Sequence, residues 1–258
     1  MTASSSAQPS GTPGGERVIV VAGAGGAAGN AVVRALAASG ARVVAADRIP
    51  REWDDERISP VVVDLLDAAA TRAWAGAVVA EHGRVDGLIH LVGGWRGGTP
   101  FAETDLADWA FLHDLLVRTL QHTTLAFHEH LARSPYGRVA IVSQHSAQRP
   151  AQDMAAYSTA KAAAEAWILA QADAFGTTAA ASAGADDVPV GTGDAPVGNA
   201  AATILVVKAL LTDAMLKQSP DDSFPGFTHV DDLAQAIADL WTRPAEQLNG
   251  RRLDLSHS

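Results

Sequence analysis

Apolar residues along this chain fall into short solid runs separated by longer stretches of helical spacing. Residues 17–22 (RVIVVA) form a compact β-branched run, the pattern of a strand buried on both faces. Runs of the same kind occur at 42–46, 61–63, 86–92, 138–143 and 203–207, with a short last one at 252–255. Between them lie segments that predict helices, at 27–39, 68–81, 106–132, 155–175 and 230–241. Gly40 and Gly83 stand where the first two helices should stop, because glycine accepts the left-handed conformation that ends a helix. Such alternation of strand and helix predicts an α/β fold, a parallel sheet covered by helices on both faces, in one domain over 17–258.

Two stretches break the alternation. Residues 1–16 are rich in Ser, Gly, Pro and Thr and lack the apolar core of a signal peptide, so a disordered tail is expected. Residues 176–199 contain almost no large apolar side chain. A flexible insert is expected there, either a tolerated disordered loop or a substrate lid.

Parallel sheets of this kind bind ligands beyond the carboxyl ends of their strands. Gly23, Asp47, Asp64, Gly93 and Ser143 all lie at or just past predicted strand ends, and so point at one crevice. The first is the turn Gly23-Ala-Gly25-Gly26-Ala27-Ala28-Gly29. Glycines there allow a tight turn, close backbone approach to a pyrophosphate, and close packing of helix on strand. Asp47 can accept hydrogen bonds from an adenosine ribose diol and would repel a 2′-phosphate, which favours NAD over NADP. Arg48 follows it and can pair with such a phosphate, which keeps NADP open. Asp64 and Leu65 would flank the adenine, with a helix cap the competing role for Asp64 or Asp67. Val92, Gly93 and Gly94 would let the chain pass close to the cofactor, and Trp95 could cap the pocket beyond.

Chemistry enters with Tyr157-Ser-Thr-Ala-Lys161, whose first and last residues share one face of a helix. A phenol titrates near 10. A cation one turn away can lower that by roughly 1–3 units, making the pair a general acid/base for carbonyl–alcohol interconversion.

Composition narrows the partners. The net charge of −10 argues against nucleic acid and against anionic membranes. No run of about 18 apolar residues occurs, so no membrane span is expected. With no cysteine, disulfides, thiolate nucleophiles and cysteine-ligated metals are excluded, and a reducing cytoplasm fits. His128 and His130 are two apart, so their rings face different ways, and no metal site is expected.

With these motifs in this order, the sequence resembles the short-chain dehydrogenase/reductase family over about residues 17–255. The resemblance implies a Rossmann-type doubly wound sheet, a nicotinamide cofactor and hydride transfer at a carbonyl or carbinol carbon of a small molecule. It implies that Tyr157 protonates the substrate oxygen, and that Lys161 holds the nicotinamide ribose and lowers the phenol pKa. It also implies a homodimer or homotetramer packed through the helices at 106–132 and 155–175. The spacing Gly23, Gly26, Gly29 looks like the family's extended or atypical branch. His90-Leu91-Val92-Gly93 stands where the family has Asn-Asn-Ala-Gly, and Leu116 where it has a helix Asn. Gln144 occupies the position of the family's Ser, with Ser143 one residue before and Ser146 two after. Gln144 is thus a candidate donor to the substrate oxygen, with Ser143 and Ser146 as alternatives. Those departures also motivate a second reading, a nucleotide-binding sensor or scaffold with little catalysis.

Overall fold

A computed structural model describes residues 16–183 and 199–256. Its main sheet has seven strands, all parallel, in the order β3-β2-β1-β4-β5-β6-β9. The strands are β1 (Val18–Ala22), β2 (Arg42–Asp47), β3 (Ile58–Val62), β4 (Gly87–His90), β5 (Arg138–Gln144), β6 (Ala201–Val207) and β9 (Arg252–Asp254). Helices α1 (Ala27–Ala38), α2 (Ala68–His82), α3 (Leu106–His113), α4 (Thr119–Arg133), α5 (Ala155–Ala183), α6 (Asp213–Gln218) and α7 (Val230–Ala238) connect them. A two-residue pair, β7 (Leu210–Leu211) with β8 (Thr228–His229), lies outside the main sheet. Sequence order reverses between β1 and β4, so a crevice opens above their carboxyl ends.

Burial follows the alternation of side chains along each strand. Val18 and Val20 of β1 face one core layer, with Trp74, Phe127, Ile168 and Phe175 from α2, α4 and α5. Ile19 and Val21 face the other, with Val32, Val33 and Leu36 of α1 and Leu233 and Ile237 of α7. A strand covered on both sides needs apolar residues at every position, which is why β1 and β6 read as solid runs.

The helix ends are set by side chains. Asp67 caps α2, its carboxylate accepting from the N–H groups of Ala69 and Ala70 at 2.8 and 2.9 Å. These bonds hold the carboxyl below its usual range. Gly83 ends α2 at φ 74°, the left-handed conformation glycine tolerates best. Of the two aspartates weighed for capping, Asp67 takes that place. Asp64 instead accepts from the N–H of Leu66 at 3.0 Å.

Two buried polar groups tie elements together. Asp86, fully buried, accepts from Val18 N–H at 3.0 Å, from Ser134 Oγ at 2.5 Å and from Arg84 at 2.7 and 2.8 Å. Arg138 donates to the carbonyls of Gly137, Asn199, Leu240 and Arg243, and burial pulls its pKa down to about 10.

The short elements β7, α6 and β8 were not expected, the helix expected over 230–241 ends as α7 at Ala238, and three longer elements also depart from expectation. β3 runs from Ile58 to Val62, not over 61–63; its Pro60 sits on a strand with a neighbour on one side only, where a missing N–H is tolerated. The single helix expected over 106–132 is interrupted by a π turn at Asp114–Arg118. There the N–H of Thr119 bonds to Asp114 O, and the Thr119 hydroxyl donates to the Leu115 carbonyl at 2.7 Å. Finally, α5 continues past residue 175 to Ala183, so 176–183 of the expected insert is helical. Residues 184–198 of that insert lie outside the described residues, as do 1–15 of the expected tail, while the insert's last residue, Asn199, accepts from Arg138 through its carbonyl. Glu16, the last residue of the tail, pairs with Arg42 at 3.2 Å.

Candidate active site

Two adjoining cavities occupy the crevice. The first, about 190 Å³, is lined by Gly23, Gly26, Asp47, Arg48, Asp64, Leu65, Val92 and Gly93, joined by Leu115 and Thr119 of the π-turn region. The second, about 690 Å³, is lined by Gly26, Ala27, Ala28, Gly29, Val92, Gly93, Gly94, Gln144, Tyr157 and Lys161. Gly26 and Gly93 border both, so the two form one elongated groove.

The glycine turn is built so that side chains cannot enter it. A Cβ at Gly29 would lie 2.1 Å from Gly23 O, and one at Gly23 would lie 2.7 Å from Val92 N. Gly26 is different: nothing but Gly23 O comes within 4 Å of its ideal Cβ, so that face is open to the groove. Gly26 is also the N-cap of α1, without a side-chain cap and with no acidic residue in the first turn. The first N–H groups of α1 therefore keep their capacity to bind an anion. Gly25 does not line either cavity; its N–H donates to Asp47 Oδ2 at 2.7 Å. Arg51, unremarked in the sequence, packs over Gly25 with Nε 2.7 Å from the ideal Cβ position.

Tyr157 and Lys161 start α5 beside the ends of β4 and β5. The Lys161 ammonium lies 5.8 Å from the Tyr157 ring centroid and donates to the Val142 carbonyl at 2.7 Å. Burial dominates and pushes Tyr157 up to about 12. Burial also pulls Lys161 down to about 8, against the opposing pull of the Glu165 carboxylate.

The three candidate oxygen-orienting residues are all otherwise engaged or buried. Gln144 reaches the groove, but its amide nitrogen donates to Lys208 O at 3.0 Å and its oxygen accepts from Ser146 N–H at 2.5 Å. Ser143, almost fully buried, donates to Glu165 Oε1 at 2.5 Å. Ser146 is buried, its hydroxyl lacks a hydrogen-bond partner, and it does not line the groove.

His90 sits at the end of β4 on the groove wall. Its Nε2 lies 3.2 Å from Thr119 Oγ1 and its Nδ1 3.1 Å from Thr123 Oγ1. Both hydroxyls also bond helix carbonyls, Thr119 to Leu115 O at 2.7 Å and Thr123 to Thr119 O and Leu120 O at 3.0 Å. Burial, then the Lys161 charge, drives the His90 pKa down to about 3. A lone histidine in an apolar strand was the only signal for this network.

The sequence model for short chain dehydrogenases matches residues 17–180. The chain belongs to the short chain dehydrogenase family. This short chain dehydrogenase is 30% identical over 159 residues to the probable oxidoreductase EphD of Mycobacterium tuberculosis, covering 58% of this chain and 27% of that protein. It is 27% identical over 159 residues to an acetoacetyl-CoA reductase of an Acinetobacter species, covering 57% of this chain and 63% of that one. The chain thus spans less than two thirds of either relative. In fold it is similar to a short chain oxidoreductase of Pseudomonas aeruginosa PAO1 described as containing an atypical catalytic center. The TM-scores are 0.74 for the apo and 0.73 for the NADPH-bound structure, at 21% identity over 93% of this chain and 95% of that chain.

The family brings with it a nicotinamide dinucleotide, NAD or NADP. The residues present fit such a group: Gly26 leaves room at an uncapped helix N-terminus, with Asp47 and Arg48 along one end of the groove and Tyr157 and Lys161 along the other.

Proposed function

We propose that this enzyme interconverts a small-molecule carbonyl and its alcohol with NAD(P), and that Tyr157 is its general acid/base. The observation that carries this reading is that Tyr157 and Lys161 share one groove with Gly26–Gly29 and Val92–Gly94. Bound there, the nicotinamide supplies or accepts the hydride. In the reducing direction the Tyr157 hydroxyl gives its proton to the substrate oxygen as the carbonyl carbon gains hydride. Burial keeps that phenol protonated, which suits an acid waiting for a carbonyl. Lys161 carries the positive charge beside it and holds the nicotinamide ribose. Trp95, Met154, Leu210 and Val230 line the far part of the groove, and this favours a substrate with an apolar body.

Asp47 at the mouth of the smaller cavity favours NAD(H), with Arg48 and Arg51 near enough to leave NADP(H) usable. We place the enzyme in the cytoplasm, which its lack of cysteine favours. No helix among the described residues is long and apolar enough to cross a membrane. Exposed Leu125 on α4 and Leu169 on α5 support a homodimer or homotetramer packed through those helices.

The engaged amide of Gln144 favours one other reading, a nucleotide-binding sensor with weak or no catalysis. Oxidation of NADH in the presence of a panel of aldehydes and ketones separates the two. Turnover that disappears in Tyr157→Phe supports the enzyme; NADH binding with no turnover on any compound supports the sensor.

A further inference from the structure

One buried acid lies beneath this site without a part in the reaction as described. Glu165 follows Lys161 by one helical turn on the same face of α5 and is 5% exposed. Its Oε1 accepts from two directions. Ser143 Oγ donates to it from β5 at 2.5 Å, and an Arg252 guanidinium nitrogen donates from β9 at 3.0 Å. Lys161 meets the same strand one residue earlier, at the Val142 carbonyl. An ammonium buried to that degree is costly unless an opposite charge lies close by. Its bond to Val142 O satisfies a donor but leaves the charge uncompensated. The titratable groups nearest it are Tyr157, whose ring centroid is 5.8 Å away, His90 on the same groove wall, and Glu165 one turn on along α5; Arg252 of β9 meets the far side of Glu165. Glu165 is the one carboxylate among them, and it is ion-paired with Arg252 at 3.0 Å.

We propose that Glu165 is a positioning residue of this active site: clamped by Ser143 and Arg252, its carboxylate is the counter-charge that keeps Lys161 an ammonium beside Tyr157. The inference rests on the acid/base reading of Tyr157 and Lys161. It also gives Ser143 a task. Its hydroxyl anchors the counter-charge and is not available to a substrate oxygen. Arg252, at the sheet edge, acts in the opposite sense, because its own positive charge draws on the same carboxylate oxygen.

The chain has three lysines, Lys161, Lys208 and Lys217, which makes the titration of Lys161 directly readable. The full-length protein is labelled at lysine ¹³Cε, the Lys161 resonance is assigned with Lys161→Arg, and its shift is followed against pH. In Glu165→Gln the midpoint is expected to fall by about one unit, a roughly tenfold drop in the ammonium-to-amine ratio at a given pH. In Arg252→Gln it is expected to rise; the fall in Glu165→Gln is the direction that a merely loosened structure would not produce, because exposure would relieve the burial that depresses Lys161. An unchanged midpoint in folded Glu165→Gln overturns the proposal, as does a fall in both variants. If Glu165→Gln does not fold, Glu165→Met, similar in size and needing no hydrogen-bond partner, takes its place with the same expected fall, and an unchanged midpoint there overturns the proposal. The readout needs no substrate, so a Tyr157→Phe variant with full turnover would sink the catalytic reading without touching this result.

Discussion

At the scale of single residues, the site works through what burial does to charge. Tyr157, raised to about 12, holds its proton across the working range, while Lys161, at about 8, begins to lose its charge just above neutrality. Tyr157→Phe removes the proton but not the ring, so turnover of any confirmed carbonyl substrate should drop by about 10²–10⁴ while NADH binding persists. Steady-state kinetics beside a binding titration checks both halves. His90 supplies a second test. Its pKa is about 3 in the fold and near 6.5 in the unfolded chain, so the unfolded state binds the extra proton between those values. Stability should therefore fall as pH drops below 6.5, by about 2 kcal/mol from this group between pH 7 and pH 5. Urea melts of the wild type and His90→Gln at the two pH values should differ by that amount. The Tyr157 and Lys161 positions were legible because their spacing matches a helical turn. Their proton affinities were not, because the sequence reveals that a cation is near but not that both groups are desolvated.

Elements are fixed by a few buried contacts, and these set the cost of disturbing them. Gly29 sits where α1 crosses the start of its own turn, so Gly29→Ala drives a methyl into the Gly23 carbonyl. We expect a loss of at least about 2 kcal/mol in stability and roughly tenfold weaker NADH binding, read by thermal melts with and without cofactor. Asp86 joins β1, β4 and the approach to β5; Asp86→Ala would strand the Val18 N–H and the Ser134 hydroxyl and should cost about 3 kcal/mol in a denaturant melt. Strand positions were legible from solid apolar runs, and α2 from its periodicity and Gly83. The π turn was not, because an extra residue in a helix leaves the polarity of its neighbours almost unchanged. The end of α5 was missed for a related reason: Gly176, Thr177 and Thr178 have poor helix propensity, yet the helix continues through them.

For the molecule as a whole, one topological fact arranges the chemistry. The reversal of strand order beside β1 brings together the glycine turn, the ends of β2 and β4, and the N-terminal turn of α5, which are far apart in sequence. That convergence was readable from strand-end residues alone. The role of the edge was not, since Arg252 reaches Glu165 across 87 positions. Cofactor choice belongs to this scale, because it depends on charges from the glycine turn, from β2 and from the segment after it. NADH should bind more tightly than NADPH, and Asp47→Ser should narrow or invert that ratio, as fluorescence titration of both nucleotides would reveal.

The wide turn at Asp114–Arg118 has a consequence for how this chain tolerates insertion and deletion. Each residue of an α-helix turns the next by about 100°. Removing one residue from the turn would let α3 and α4 fuse into a regular helix with every backbone bond made. The resulting rod would be sound in itself, but α3 would arrive rotated by more than a quarter turn. Trp109 and Leu112 would then leave the side of α5 that carries Ala156, Tyr157 and Ala160. The wide turn is a phase adjustment between two faces: α4 keyed to the sheet, α3 keyed to the start of α5 around Tyr157. A shortened chain would keep its fold and lose the alignment.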